Sequence, residues 1–143
     1  MLGRKDYARE ELDNARATME RQLAAYRALA SAVSGAKDGG KAEAALDHFD
    51  TSFFVNMVLA LDRPFVHRLR VSTGKDGNAL NEVELLVDSL INNGGVLRGN
   101  NVIKFVPDES VLKLQIGDRI RLSGDDFERL AAAFFAELER RFV

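Results

Sequence analysis

Residues 46–61 read Leu-Asp-His-Phe-Asp-Thr-Ser-Phe-Phe-Val-Asn-Met-Val-Leu-Ala-Leu, and their second half, Phe53 to Leu61, carries a single polar side chain, Asn56. A helix that is apolar all round has to be covered all round by other parts of the protein. At about nine residues the apolar run is far too short for a membrane span, which needs roughly 20. The stretch therefore predicts a core helix that the other elements surround.

A long helix over residues 5–33 is predicted before this stretch. Its apolar residues repeat every seven positions, at Leu12, Met19, Tyr26 and Val33, and the residues three places after the first three are Ala15, Gln22 and Leu29. This a/d pattern predicts a seam against another helix, which is either the next helix of the same chain or a helix of a second copy. Glycines in the segment 35–40 predict a flexible connection to a second helix over 41–61.

A short third helix is expected directly after the central stretch. Asp62 is a candidate N-cap, Pro64 fits the first helical turn, and the apolar face consists of Phe65, Val66 and Leu69. Residues 72–77 are predicted to form a loop, because glycines and polar residues follow one another there.

Two more helices are predicted from their capping residues and apolar stripes. Asn78 is a candidate cap for a helix over 79–92, with its stripe at Leu80, Val83, Val87, Leu90 and Ile91. Ser123 and Asp126 form a capping-box pattern that opens the last helix, with its stripe at Phe127, Leu130, Ala131, Phe134, Leu138 and Arg141 or Phe142.

Between these two helices the apolar residues alternate with polar ones, which is typical of strands. The candidate strands are 96–98, 102–106, 111–116 and 119–122, with 111–116 open to interpretation as a short helical turn. The side chains predicted to face inward are Ile103, Phe105, Leu112, Leu114, Ile120 and Leu122. The sequence thus predicts an α+β fold, mainly α, in which a bundle of about five helices carries a small antiparallel β-sheet before the C-terminal helix.

Length and composition predict one domain over residues 1–143, in which the compact part is 41–143. The absence of cysteine excludes disulfides, thiolate metal sites and cysteine nucleophiles, and it fits a cytoplasmic location. Residues 1–8 lack the apolar region of a signal peptide, and no segment is long enough to span a membrane. A net charge of −2 disfavours nucleic acid as a partner.

The segment 63–75 is the most suggestive place for ligand binding, because it carries four positive charges and no acid. A small anion or phosphate could bind there through Arg63, His67, Arg68, Arg70 and Lys75, with Asn78 and Asn81 as polar partners. The alternative interpretation is a solvated surface whose arginines pair with acids of the following helix, such as Glu82, Glu84 and Asp88.

No motif for catalysis, metal or cofactor binding is present. Ser72-Thr-Gly-Lys75 lacks the first glycine and the final hydroxyl of a P-loop, and Asp76-Gly-Asn78 lacks the later ligands of a calcium loop. His48 is not spaced to share a metal with the neighbouring carboxylates on a helix. We therefore expect no metal and no cofactor, and the sequence leaves open whether the protein is an enzyme.

The C-terminal half resembles an uncharacterised family of small bacterial proteins. The resemblance lies in Phe65-Val-His-Arg-Leu-Arg70, in Gly74-Lys-Asp-Gly-Asn-Ala-Leu-Asn-Glu82, in Gly117-Asp118 and in the helix from Phe127 to Phe142. It implies a stand-alone domain and no particular catalytic residues.

Two functions follow as hypotheses. The first is a non-enzymatic interaction module that forms a homodimer through broad apolar helix faces, namely the Leu12/Met19/Tyr26/Val33 seam and the Phe127/Phe134/Phe135 face. The second is a small anionic-ligand-binding domain that uses the basic segment 63–75.

Overall fold

The computed structural model describes residues 3–143; Met1 and Leu2, which the predicted domain includes, lie outside the described residues. Most of the described chain is helical, in α1 (Arg9–Ser34), α2 (Lys41–Asp62), α3 (Arg70–Thr73), α4 (Ala79–Asn92) and α5 (Gly124–Phe142). Two 3-10 turns lie at Arg63–Phe65 and Pro107–Glu109. The prediction of a mainly helical protein with about five helices is confirmed.

A residue of its own first turn caps helix α1. The N-terminal half of this helix packs against the rest of the protein. The Glu11 carboxylate accepts a hydrogen bond of 2.8 Å from the backbone N–H of Ala8, which satisfies one of the donors that open a helix. Leu12, Met19 and Leu23 are buried, and α1 contacts both α2 and α5. The predicted seam is therefore used inside the chain along the first turns of the helix.

Helix α2 packs its second half into the core. Its buried side chains are Phe54, Met57, Val58, Leu61 and Asp62, and Phe53, Val55 and Leu59 are half-buried. Asn56 and Ala60 are exposed, so residues 53–61 belong to a core helix, as predicted, but are not covered all round. Helices α1, α4 and α5 all contact α2.

The predicted third helix is replaced by a 3-10 turn. Asp62 does not cap it: this residue ends α2, and its carboxylate binds the Arg68 guanidinium at 2.8 Å. Pro64 lies in the first turn, as predicted, while Val66 is exposed instead of packing on an apolar face. The next helix, α3, begins only at Arg70.

The capping predictions for the last two long helices are confirmed. The Asn78 side chain accepts hydrogen bonds from the N–H groups of Leu80 and Asn81, and Ser123 and Asp126 form a reciprocal capping box. The predicted stripe of α5 is buried, and its last buried member is Phe142 and not Arg141. In α4 the stripe ends early, because Ile91 is exposed.

The predicted antiparallel sheet is wrong: no strand forms among residues 3–143. The segment between α4 and α5 is a long loop that contains the 3-10 turn at 107–109. Isolated bridges occur in place of a sheet, and they join Val96 to Arg119, Asp76 to Lys104 and Arg4 to Arg68.

Side-chain oxygen atoms take the hydrogen bonds that a sheet would have used. Backbone N–H groups need a partner once they are buried, and a side chain can supply one instead of a neighbouring strand. The acceptors here are Glu82 for Val111 and Leu112, Asn100 for Val102 and Ile103, Ser110 for Lys113, and Asp118 for Gln115. Lys113 also has a φ of 57°, which interrupts an extended chain.

The inward direction of the alternating side chains was predicted well even though the strands were not. Ile103, Ile120 and Leu122 are buried in the core, and Phe105, Leu112 and Leu114 pack partly buried against it. The segment 111–116 is neither a strand nor a helix. Apolar burial therefore fixes which residues face the core. The side-chain oxygen atoms of the preceding paragraph accept the backbone hydrogen bonds that neighbouring strands of a sheet would have accepted.

Candidate functional site

Arg68 of the predicted anion site is buried within the protein. Its guanidinium donates to the Asp62 carboxylate at 2.8 Å and to the carbonyl oxygens of Phe65 and Leu80 at 3.0 and 3.3 Å. The Arg68 side chain is 5% exposed, and its guanidinium lies over the Phe134 ring. These contacts give Arg68 a structural role, in which it joins the end of α2 to α4 and α5.

Arg70 and the two predicted asparagines hold the loop between α3 and α4. Arg70 forms an ion pair with Glu84, as the alternative interpretation of this segment predicted, and donates to the side-chain oxygen of Asn81 at 2.9 Å. Asn81 is buried and donates to the carbonyl oxygens of Gly74 and Asp76. Asn78 donates to the carbonyl oxygen of Thr73 in addition to capping α4.

The remaining three predicted site residues, Arg63, His67 and Lys75, are exposed. Within residues 3–143 their side chains form no hydrogen bond and no ion pair. The structure thus gathers Arg70, Asn78 and Asn81 around a loop, and it places Arg68 in a separate buried pair. Anion binding by the segment 63–75 stays a prediction that would depend on Arg63, His67 and Lys75.

Two buried polar atoms have no hydrogen-bond partner among the described residues. They are the Tyr7 hydroxyl oxygen and the Nε of Arg68 itself. Burial raises the pKa of Tyr7, and the Arg68 and Arg4 guanidinium groups act in the opposite direction. The Tyr7 ring packs edge-on against Phe65 at 4.9 Å. These features describe a packed polar core between the N-terminal segment and α5.

The most unusual feature of the fold is the outer half of the α1–α2 hairpin, which we call the arm and define as residues 28–52. No residue of the arm is buried. No hydrogen bond or ion pair within residues 3–143 joins the arm to α4, α5 or the loop between them. The one side-chain hydrogen bond from the arm to a residue outside it joins Asp50 to Tyr26 of α1. The arm is therefore a two-helix extension of the protein without a third element packed on it.

The base of the arm is an aromatic cluster. Tyr26 stacks on Phe53 with ring centres 5.4 Å apart, and Phe53 stacks on Phe49 at the same distance. Phe54 anchors this cluster to the core, because it is buried and lies 6.1 Å from Phe127 of α5. Partial burial and the bond to the Asp50 carboxylate raise the pKa of Tyr26 to about 12.

Two large apolar side chains of the arm are exposed to solvent. Leu29 is 48% exposed and lies one turn beyond Tyr26 on α1; Phe49 is 46% exposed and lies one turn before Phe53 on α2. Since Tyr26 and Phe53 stack on each other, both exposed residues lie at the same end of the hairpin. The sequence predicted the apolar seam of α1 but not that the outer end of this seam is exposed. The polar Gln22 at a predicted d position of the seam was the one signal available.

The two histidines do not form a site together. His48 lies in the arm and His67 follows the end of α2, and the intervening helix is about 20 Å long at 1.5 Å per residue. No group of three acidic or histidine side chains within residues 3–143 is arranged to hold a metal ion. Across the same residues, every helix is too short or too polar to span a bilayer.

Comparison of the chain with protein-family models, with curated proteins and with solved structures gives no match. The predicted resemblance to a bacterial family is not tested by these comparisons.

Proposed function

We propose that this protein is a non-enzymatic interaction module that associates with a second copy of itself through the arm. The observation that carries the proposal is that residues 28–34 and 41–52 are helical, while no residue of the arm is buried. Its half-buried side chains include Val33 and Leu46, and its exposed ones include Leu29 and Phe49.

An unpartnered arm of this kind is weakly stabilised. Isolated helices shorter than about 12–15 residues are marginal in water, and most of their stability in proteins comes from packing an apolar face. Burying a Leu or Phe side chain contributes about 1.5–3 kcal/mol, and roughly half of that is still available at Leu29 and Phe49. A second arm packed on the first would supply this burial twice in a two-fold arrangement.

The charges of the arm suit a second copy. Asp38 accepts a hydrogen bond from the N–H of Ala42, and Asp50 accepts one from the Tyr26 hydroxyl. The arm carries charges of both signs: two lysines, Lys37 and Lys41, and four acids, Asp38, Glu43, Asp47 and Asp50. In a two-fold arrangement the lysines of one arm can face acids of the other.

The arm is short, so the predicted dimer is concentration-dependent. Stable interfaces bury about 800 Å² on each partner, and two short helices supply less than a long bundle does. We expect the mass measured by light scattering to rise from 15.8 kDa towards twice that value as the protein concentration increases.

Substitutions in the arm test the proposal. Leu29→Glu and Phe49→Glu each place a charge in the proposed interface, and we expect each variant to remain a monomer at concentrations where the natural protein dimerises. The matched control is Ile91→Glu, because Ile91 is 65% exposed and lies on α4, outside the arm.

Two results would contradict the proposal. One is a natural protein that stays monomeric at every concentration reached. The other is an Ile91→Glu variant that loses dimerisation as strongly as the two arm variants, which would place the interface elsewhere.

A further inference from the structure

Two short segments between α4 and α5 lie side by side, and we call residues 95–98 and 117–121 the arginine ribbon; each begins at a glycine with positive φ and then runs on as the chain that carries the arginines. The N–H of Leu97 donates to the carbonyl oxygen of Asp118, and the N–H of Gly117 donates to that of Leu97, both at 2.8 Å. The N–H of Ile120 donates to the carbonyl oxygen of Gly95 at the same distance. This pairing centres on the antiparallel bridge between Val96 and Arg119.

The ribbon has an apolar inner face and a cationic outer face. Leu97 and Ile120 are buried, while Arg98, Arg119 and Arg121 alternate with them along the chain and are exposed. Residues two apart on an extended chain lie about 7 Å apart on one face, and diagonal neighbours on paired segments lie at about 7–8 Å. The three arginines therefore form a row in which Arg119 lies between Arg98 and Arg121.

These arginines differ from most others in the protein. Most arginines elsewhere pair with carboxylates, as Arg27 does with Asp125 and Glu128, and Arg129 with Asp126, although Arg21 and Arg63 form no ion pair within residues 3–143. Within residues 3–143 none of the three ribbon arginines forms an ion pair. Arg119 donates to the carbonyl oxygen of Gly94 at 3.1 Å, which holds its guanidinium in place over the outer face.

The one acid of the ribbon, Asp118, forms no ion pair with the three arginines within residues 3–143. Its carboxylate accepts the N–H of Gln115 within the turn at 115–118. An exposed apolar side chain, Ile116, lies at the edge of the patch and is 52% exposed. Its Cδ1 atom lies close to Gly99, at 3.5 Å from the position that a Cβ atom would take there. The patch therefore combines several unpaired guanidinium groups with an aliphatic edge.

We propose that the arginine ribbon binds an acidic segment of a partner protein in an extended conformation. An extended peptide with carboxylates at alternate positions repeats about every 7 Å, which matches the spacing of Arg119 and Arg121. Guanidinium groups bind carboxylates through two parallel hydrogen bonds, and arginine is enriched in protein interfaces. This surface lies outside the arm, so the inference does not depend on the proposed dimer.

A peptide fits the patch better than a nucleic acid does. The chain carries a net charge of −2, which does not favour a long polyanion, and the ribbon has no aromatic side chain on which a base could stack. The exposed Ile116 and the half-buried Val96 suit aliphatic side chains placed between the carboxylates of a peptide.

The test measures binding of three synthetic peptides to the full chain by fluorescence anisotropy. The first alternates Glu with Val, the second has the same composition with its Glu residues in one block, and the third replaces Glu by Gln. We expect the alternating peptide to bind most tightly, the block peptide several times more weakly, and the Gln peptide not at all. Binding of the alternating peptide should weaken as salt is added, because the charges are exposed.

Variants of the ribbon locate the contact. Arg98→Glu combined with Arg121→Glu should lower the affinity for the alternating peptide by about tenfold or more. The milder pair Arg98→Gln and Arg121→Gln should lower it in the same direction and keeps the test valid if the reversed charges prevent folding. Lys5→Glu combined with Arg21→Glu is the matched control, because both residues are exposed, form no ion pair within residues 3–143 and lie outside the ribbon and the segment 63–75.

Three results would overturn the inference. The first is no binding of the alternating peptide, and the second is an equal loss of affinity in the Lys5/Arg21 control. The third is tighter binding of a short DNA duplex than of the peptide, with the same dependence on Arg98 and Arg121.

Discussion

Arg68 and Asp62 form a pair whose side chains are 5% and 10% exposed. Removing a charged pair from water costs several kcal/mol for each ion, and the protein offsets this cost with further hydrogen bonds. Arg68 obtains them from the carbonyl oxygens of Phe65 and Leu80. A side chain that looks like a surface cation in the sequence therefore acts as a connector between α2 and α4.

Glu11 is the residue whose charge matters most for the start of α1. Hydrogen bonds from the Arg4 guanidinium and from the N–H of Ala8 lower the pKa of Glu11 from 4.5 to about 2. Because the folded protein holds the carboxylate below its unfolded pKa, the stabilisation is fully present above pH 4.5 and is lost as the pH falls towards 2.

We therefore predict that Glu11→Gln lowers the free energy of unfolding by about 0.5–1 kcal/mol at neutral pH, a value limited by the exposure of the pair. The difference from the natural protein should shrink as the pH falls below about 4.5 and vanish near 2. Urea unfolding at several pH values measures it. Glu10→Gln, one residue away and without a side-chain contact within residues 3–143, is the control, and a pH-independent difference would contradict the explanation.

The loop between α4 and α5 shows how an element can be fixed without secondary structure of its own. Glu82 of α4 is 3% exposed, and its carboxylate accepts the N–H groups of Val111 and Leu112 at 2.8 and 3.0 Å. Burial raises the pKa of Glu82, and the two backbone donors act in the opposite direction. One buried carboxylate thus docks the 110–113 segment on the helix.

Glu82→Gln tests this docking. The amide has one oxygen for two N–H donors, and its NH₂ group would face the other donor, so we predict a loss of about 1–3 kcal/mol in the free energy of unfolding. Hydrogen exchange at the Val111 and Leu112 amides should accelerate more than exchange in α5. Glu109→Gln is the matched control, because Glu109 is exposed in the same loop and its side chain has no polar contact within residues 3–143.

If Glu82→Gln were as stable as the natural protein, the carboxylate would not be the anchor. The loop would then be held by its apolar contacts alone, through Ile103, Ile120 and Leu122.

At the scale of the whole molecule, the described chain has a well-buried part and a thinly buried one. Phe54, Phe65, Phe127 and Phe134 are almost completely buried where α2, α4 and α5 meet. The arm has no such residue. Local stability follows burial, so the arm should open far more easily than α4 or α5.

Hydrogen exchange at two protein concentrations measures this difference. In dilute protein we predict that amides in 28–34 and 41–50 exchange much faster than those of α4. At high concentration the arm amides should become protected while the α4 amides do not change, because only the arm gains a partner. An arm as protected as α4 in dilute protein would contradict this prediction, and Phe49→Glu should remove the dependence on concentration.

Local sequence signals were sufficient to predict most of the helices. Asn78 and Ser123 place side-chain oxygens at the right distance from the first free N–H groups of α4 and α5, which is a short-range interaction that a sequence shows directly. The inward direction of Ile103, Ile120 and Leu122 was also predictable, because alternation depends only on neighbouring residues.

The sequence by itself determined the positions of the long helices and the residues of the core. The tertiary structure decided the absence of a sheet, the pairing of Arg68 with Asp62 and the exposure of the arm. Each of these depends on contacts between groups that are far apart in the chain, such as Glu82 and Val111. A local sequence pattern does not predict such contacts. Short-range capping and periodicity can be predicted from sequence, whereas the partner that a buried donor or a cation finds is set by how the helices pack.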